Sequence, residues 1–510
     1  MADSKSINQY LWGGITNRVF HSLSVLFYEL VLGLLLFFFP VPSSLATEKA
    51  VTLKRPNILL IAIDDLNDWV GCLGGHPQAA TPNIDRLANG GTLFTNAHCQ
   101  APVCQPSRAS LMTSTYPSSS GLYFLVPGIA ASPIIKNKKT LPERFAEEGY
   151  RVLGAGKLFH VINGPAFNKF GKYGGGFGYF GPQPAQKISQ PHGHPLWDWG
   201  SFPAATGQMP DMQIANWAVN QLKEMDQTPF FLAVGFYRPH VPMLVPQEWF
   251  NRHPRNNIRL PVILANDVED LSPYARDLTS LQHVAPLHDW IIENKQWEHA
   301  VQSYLACCSF VDACVGKVLD ALERSPHRNN TVIVLFSDHG FHLGEKKRWA
   351  KRSLWEDGTH IPLIISGAGL PKDQICQQPV GLIDLYPTLL DICHFQSDAS
   401  HEGQSLKPQL IYPLQARVPA RTTFGPGNHA IRSRDWRYIH YRDGSEELYD
   451  HRNDPHEWHN LATNPKWRTV LEEHRQHLPE KEHRILGTGS TGHLAFTAAE
   501  NQRASRTINK

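Results

Sequence analysis

The 510-residue chain lacks a charge excess, paired cysteines and long apolar runs. Lys and Arg total 48 against 46 Asp and Glu, a formal charge of +2. This balance excludes a general nucleic-acid binder, although a local basic pocket stays compatible with it. The eight cysteines, at 72, 99, 104, 307, 308, 314, 376 and 393, form no CxxC pair and show no zinc-type spacing. A structural zinc site is therefore not expected, and their density is too low for a disulfide scaffold. If one cysteine is functional, seven remain, so at least one would stand unpaired. The longest charge-free apolar run, Leu30 to Phe39, is ten residues, against roughly 20 for a membrane-spanning helix. No internal repeat is apparent.

Apolar material is plentiful. Hydrophobic residues make up 42% of the chain, with 13 Trp and 24 Phe, which excludes disorder for its bulk. Histidine is abundant at 26, against 6 Met, a mild pointer to site chemistry. The run Leu30–Phe39 follows Lys5, Arg18 and His21 and precedes the small-residue stretch Ser44-Leu45-Ala46. This order reads as an export signal over 1–46 removed near Ala46, with an uncleaved membrane anchor as the alternative. Export would place the protein in a periplasm, a lysosome or the medium, depending on the host.

Beyond it one pattern recurs: an apolar strand ending in a charged or histidine-bearing motif. Asn57–Ile63 is a continuous aliphatic run, as expected of a strand buried on both faces, and it ends in Asp64-Asp65. Gly149–Gly154 leads to Lys157 and His160, Pro229–Phe236 to Arg238-Pro239-His240, and Thr331–Phe336 to Asp338-His339-Gly340. Helical patterns lie between, as at Met212–Met225 and Tyr304–Leu322. Alternation of this kind predicts an α/β fold with a large, mostly parallel sheet and helices on both faces. Ligands bind beyond the carboxyl ends of such strands. Taken singly, each motif fits a cap or a turn equally well. Taken together, acidic residues on two strand ends and basic or imidazole groups on two others suit a metal site facing an anion.

Between the first two strands stands Ala101-Pro-Val-Cys104-Gln-Pro-Ser-Arg108, running on to Pro117. Pro106 suits a first helical turn, which would put Cys104 at a helix amino terminus, where free N–H groups favour an anion. On its own, Cys104 also fits a buried structural cysteine. The C-x-P-S-R segment resembles the signature of the sulfatase family, and the likeness extends over roughly Arg55–Leu461. Within that family the chain resembles the iduronate-2-sulfatase branch. The shared stretches are Gly156–His160, Tyr237–His240, Asp338–Glu345 with Trp349-Ala350-Lys351, Thr359–Leu363, and Glu447–Asp450 with Asp454-Pro455 and Asn460–Ala462.

The resemblance implies an alkaline-phosphatase-like sandwich with a smaller antiparallel sheet near the carboxyl terminus. It implies that Cys104 is oxidised to formylglycine by a maturation enzyme, and that calcium is held by Asp64, Asp65, Asp338, His339 and the modified Cys104. Arg108 and Lys157 would contact the formylglycine and sulfate, His160 would support them, His240 would act at the leaving oxygen, and Lys351 would bind sulfate. Two departures stand out. His339 occupies a position where many sulfatases have Asn and the iduronate branch has His, although calcium ordinarily takes oxygen ligands. Phe341 stands where the iduronate branch has an indole.

The expected organisation is a catalytic domain over 47–370, a subdomain over 371–480 and a loose Gly-, Ser-, Thr- and Arg-rich tail over 481–510. Trp436, Arg437, His440 and Arg442 read as a solvated strand face with substrate contact as the lesser alternative. The expected substrate is an O-sulfated sugar such as a 2-O-sulfated uronic acid, or another small sulfate ester. An arylsulfatase, a choline sulfatase, a phosphatase or phosphonate monoesterase of the same superfamily, and a non-catalytic glycan-binding protein are the competing readings. No nucleic-acid partner is expected, and a membrane only if the signal is kept.

Overall fold

The protein is described by a computed structural model covering residues 55–160, 167–175, 180–191, 195–280 and 284–508. The expected export signal lies outside these residues. Among them, no helix is long and apolar enough to cross a membrane.

An eight-stranded sheet forms the centre. Its strands are β1 (Asn57–Ile63), β2 (Gly91–Phe94), β3 (Arg151–Gly156), β4 (Lys169–Phe170), β5 (Phe230–Phe236), β6 (Thr331–Ser337), β7 (Leu363–Gly367) and β8 (Gln374–Cys376). The spatial order is β8-β2-β7-β6-β1-β5-β3-β4. Strand β7 runs antiparallel to both neighbours, and the remaining pairs are parallel. Successive side chains of a strand point to opposite faces, so the unbroken aliphatic run of β1 feeds two cores. Ile58, Leu60 and Ala62 belong to one, with Leu111 and Met112 of helix α1 (Cys104–Thr113). Leu59, Ile61 and Ile63 belong to the other, with Ile214 and Ala218 of α2 (Pro210–Glu224) and Val311 and Val315 of α4 (Trp297–Glu323). Helix, sheet and helix thus form three layers.

The register decides where the chemistry lies. Ile63 is level with Phe236 of β5 and Ser337 of β6, and Gly156 of β3 is level with Gly235. Strands β6, β1, β5 and β3 are therefore adjacent, parallel and flush at their carboxyl ends. With neighbouring strands about 4.8 Å apart, all four polar motifs fall within one short arc.

A second sheet, wholly antiparallel, comprises β9 (Ala420–Thr423), β10 (His429–Arg432), β11 (Trp436–His440) and β12 (Glu446–Asp450). Three expectations need correction here. The large sheet does not close at residue 370, because β8 pairs with β2 in parallel. The tail is not uniformly loose: Thr491–Ile508 is an 18-residue helix, α5, with Phe496 and Ala499 buried. Its polar composition is offset by packing on α3 (Pro273–Thr279), where the Tyr274 hydroxyl donates to Glu500 at 2.6 Å, and by Phe496 against Phe124 with centroids 5.8 Å apart. Nor is β11 simply a solvated face. Arg437 is fully buried and pairs with Glu356 and Glu457, while Trp436 is 8% exposed and packs on Trp467. All eight cysteines are free thiols, seven of them buried.

Candidate functional site

Cys104 opens helix α1, every residue of which is buried. Val103 before it is extended, so the chain turns into the helix at the cysteine. Pro106 costs nothing in this first turn because its nitrogen would have had no helical acceptor. The Ser107 hydroxyl donates to the Asp338 carbonyl at 2.6 Å, tying the helix start to the end of β6.

Around Cys104 the strand-end residues close in. His339 Nε2 lies 3.2 Å from its sulfur and Lys157 Nζ 3.6 Å. Arg108 reaches back from the next helical turn. Its Nε donates to Asp338 Oδ2 at 2.9 Å, its Nη2 approaches Asp64 Oδ1 at 3.4 Å, and its Nη1 donates to the Lys157 carbonyl. Lys157 is also ion-paired with Asp64 Oδ2. Asp65, at φ 64°, turns its carboxylate elsewhere: Lys351 Nζ donates to it at 2.7 and 2.9 Å, His339 Nδ1 lies 3.4 Å away and His240 Nε2 3.8 Å. The two adjacent aspartates thus serve different cations. The left-handed backbone recurs at Ala350 (φ 80°) and Arg352 (φ 73°), on either side of Lys351. Such conformations cost non-glycine residues about 1–2 kcal/mol each and cluster at functional sites.

These groups perturb one another strongly. Burial alone would raise the Cys104 thiol, but Lys157, Lys351 and His339 hold it well below the ordinary thiol value. Burial would likewise raise Asp64, and Lys157 and Arg108 overcome it and hold the carboxyl low. At Asp338 burial wins over Arg108, and the group is pushed up to about 7. His339 is raised to about 9, burial opposing and the Asp338 and Cys104 charges prevailing. Burial lowers His160, which stands beside Cys104.

The donor set fits a hard divalent cation. Asp64, Cys104, Asp338 and His339 each offer one atom, and all four atoms lie within 4.8 Å of one another. That span matches about 2.3–2.6 Å from each ligand to a central calcium. The carboxylates are the oxygen donors calcium prefers, His339 is a less usual ligand, and an oxidised Cys104 would replace soft sulfur by oxygen. Asp65 is not in that cluster; it groups with Cys104 and His240. Two further groupings, His342-Glu345-Asp357 and Glu356-His451-Glu457, contribute no residue to the cavity over Cys104.

That cavity, about 560 Å³, has Cys104, His160, His240, Lys351 and Arg352 among its polar lining. Its apolar walls include Val126, Leu196, Trp197, Val284 and Phe341. His240 is placed by Arg238, whose guanidinium donates to the carbonyls of Leu244 (3.0 Å) and Phe180 (2.6 Å). The imidazole stacks on Phe180 at 5.1 Å, and Nδ1 lies 2.6 Å from the Val241 carbonyl. With the Nδ1 proton held there, Nε2 is the position free to exchange a proton. Phe341 stacks on Tyr304 at 5.5 Å, and the Tyr304 hydroxyl donates to the Asp65 carbonyl at 2.7 Å.

All ten residues singled out from the sequence, Asp64, Asp65, Cys104, Arg108, Lys157, His160, His240, Asp338, His339 and Lys351, come together here. Sequence reasoning missed Arg352, Trp197 and the tail residues Gly489, Ser490 and Thr491, which also line the cavity. Arg352 adjoins Lys351 and could have been flagged on that ground. Nothing local marks the other four.

The sulfatase family model matches residues 56–395, and the model of the carboxyl-terminal part of N-sulphoglucosamine sulphohydrolase matches 344–484. A sulfatase of Formosa agariphila is 40% identical over 442 residues, covering 84% of this chain and 87% of the relative. Human iduronate 2-sulfatase is 32% identical over 340 residues, covering 62% of this chain and 60% of the human protein. Among solved structures, a 2-O GAG sulfatase superposes with a TM-score of 0.65 at 25% identity, covering 83% of this chain and 90% of the other.

Proposed function

This chain belongs to the sulfatase family and is a sulfuric ester hydrolase, and from that premise we propose that it removes an O-sulfate from a sugar, the 2-O-sulfate of a uronic acid in a sulfated polysaccharide. The reading rests on the convergence at Cys104: an anion-attracting helix start, carboxylate ligands and buried cations meet at one end of a cavity about 560 Å³ in volume. That size suits a sugar-sized ligand. Support for the 2-O position comes from the likeness to the human iduronate enzyme and to the 2-O GAG sulfatase.

In this reading a maturation enzyme oxidises Cys104 to formylglycine, and Asp64, Asp338, His339 and the modified residue would hold calcium. The hydrated aldehyde would supply an oxygen nucleophile that the unmodified side chains lack, and the ion a divalent positive charge beside it. The remaining work falls to the chain's own groups. Arg108 bridges Asp64 and Asp338 and keeps their oxygens aimed at one point. Lys157 and Lys351, both buried, offset charge on the sulfuryl oxygens by preorganised electrostatics. Asp65, oriented by Lys351, takes a proton from the nucleophile. His240 gives a proton from Nε2 to the departing sugar oxygen. His160 supports the group at Cys104. Low exposure throughout excludes bulk water, which strengthens each of these interactions.

The export signal at 1–46 is part of the same proposal, because a sulfated polysaccharide is met outside the cytoplasm. Amino-terminal sequencing of the mature protein should begin near Thr47, and an intact Met1 in exported material overturns that cleavage.

Sulfate release from a defined panel tests the function: a 2-O-sulfated uronate disaccharide, a 6-O-sulfated glucosamine, choline sulfate, an aryl sulfate and an aryl phosphate. Fastest turnover of the uronate is expected. Turnover of another sugar alone defeats the 2-O assignment, and preference for aryl phosphate defeats the choice of sulfate. Peptide mass measurement should find an aldehyde at position 104 in active protein, and full activity with an intact thiol defeats the formylglycine reading.

A further inference from the structure

Arg352 is only 4% exposed, yet it lines the same cavity as Cys104. Its backbone is pinned on both sides: its N–H donates to the Pro102 carbonyl at 3.1 Å, and its carbonyl accepts from Arg348 Nη2 at 3.0 Å. Of its three guanidinium nitrogens, Nη2 donates to Thr491 Oγ1 at 2.8 Å. Nε and Nη1 are buried and meet no acceptor among the described residues. No described carboxylate lies within ion-pair distance of it, and the nearby Asp65 is already bonded twice by Lys351. The other catalytic-side cations all have such partners: Arg108 has Asp338 and Asp64, Lys157 has Asp64, and Lys351 has Asp65.

A buried guanidinium without an anion is costly, and arginine is suited to oxyanions. What holds it in place is also distinctive. Thr491 begins helix α5, and Gly489, Ser490 and Thr491 form part of the cavity wall. The helix is anchored away from the cavity by Glu500, which accepts from Tyr274 at 2.6 Å and pairs with Arg442 at 3.1 Å. Residues beyond 484 lie outside both matched family models.

We propose that Arg352, oriented by Thr491 of the carboxyl-terminal segment, binds a second oxyanion on the substrate, distinct from the sulfate being cleaved. That group is the carboxylate of the uronic acid or a second sulfate on the same sugar unit. The inference rests on the sulfated-uronate reading and deepens it: the cavity selects substrates with two acidic groups. In that reading Lys157, 3.6 Å from the Cys104 sulfur, and Lys351 serve the scissile sulfate, which leaves Arg352 for the other.

The test compares wild type, Arg352→Gln and Thr491→Val on four substrates: a 2-O-sulfated uronate disaccharide, its carboxyl-reduced form, a carboxyl-reduced form with a second sulfate, and an aryl sulfate. A lost charge-assisted hydrogen bond corresponds to about a 10- to 100-fold rise in KM. Arg352→Gln should show that rise on the uronate with kcat nearly kept, and stay within about threefold on the singly charged substrates. Thr491→Val should shift KM in the same direction by less. Loss on the doubly sulfated, carboxyl-reduced substrate but not on the uronate assigns the partner as sulfate, loss on the uronate alone assigns carboxylate, and loss on both shows that Arg352 binds either anion. Equal loss on all four substrates overturns the proposal, because Arg352 would then serve the scissile sulfate or the fold. Calorimetric binding of the desulfated uronate disaccharide makes the comparison without turnover, so a failure of the sulfatase reading is seen separately. At least tenfold weaker binding to Arg352→Gln is expected where the partner is the carboxylate, and equal binding by both proteins together with an unmoved KM on the doubly sulfated, carboxyl-reduced substrate overturns the inference. Matching melting temperatures show that the variants fold.

Discussion

Replacing Arg108 by lysine keeps the charge and removes the fork, and this makes it the sharpest probe of the site. The guanidinium touches three groups on different sides: Asp338 at 2.9 Å, Asp64 at 3.4 Å and the Lys157 carbonyl. A single ammonium retains one of these. One charge-assisted bond inside the protein contributes about 1.5–3 kcal/mol, and the carbonyl contact about 1 kcal/mol. Arg108→Lys should therefore lose about 2.5–4 kcal/mol of stability, measured by urea unfolding in chelator so that metal binding does not contribute. Asp64 and Asp338 would also lose the partner that orients them as ligands. Loss of such an orienting partner costs about 10- to 100-fold in metal affinity or activity, so the calcium midpoint for sulfate release should rise by that factor. An unfolding curve within 0.5 kcal/mol of wild type, the margin of a neutral surface change, together with an unmoved calcium midpoint would refute the bridging role.

Three other outcomes are expected. His240→Ala should cut turnover of sugar sulfates by roughly 10²–10⁴ and affect an aryl sulfate with an acidic leaving group far less; uniform loss would remove His240 as the proton donor. His253 is buried against Ser309, and burial lowers it to about 4. Between pH 6.5 and 4 the unfolded chain takes up the proton that the folded chain refuses, so stability should fall by about 3 kcal/mol as pH drops through that window. Parallel pH–stability curves for wild type and His253→Asn would refute it. Lys346 and Asp267 form a buried pair at 2.6 Å, each side chain 2% exposed. Lys346→Met should destabilise by about 3–5 kcal/mol, and Asp267→Asn in the same chain should recover much of it; a neutral single variant in urea would count against the pair.

Much of this molecule was legible in one dimension. The aliphatic run of β1 identified a strand buried on both faces because both of its alternating sets of side chains are apolar. The Cys104–Arg108 motif placed a reactive side chain at a helix start through Pro106. Other features carried misleading local signals. The tail is polar and Gly- and Ser-bearing, which argues against helix, yet Thr491–Ile508 folds because Phe496 and Ala499 find apolar partners far away in sequence. Arg437 reads as a solvated strand residue, and its burial becomes tolerable only where Glu356 and Glu457 converge on it.

The amino-acid sequence by itself determined which chemical groups end the strands, and the family to which the chain belongs. Local pattern suffices for that, since period, caps and motifs involve residues a few positions apart. Tertiary structure alone decided which cation each aspartate meets. Asp64 faces Lys157 and Arg108, while Asp65 faces Lys351, 286 residues away along the chain. It also brought Thr491 to Arg352, 139 residues apart. Those pairings depend on strand order, register and the left-handed turn at Asp65. They form only once the sheet has brought distant strand ends level, where burial removes water and makes each ion pair selective.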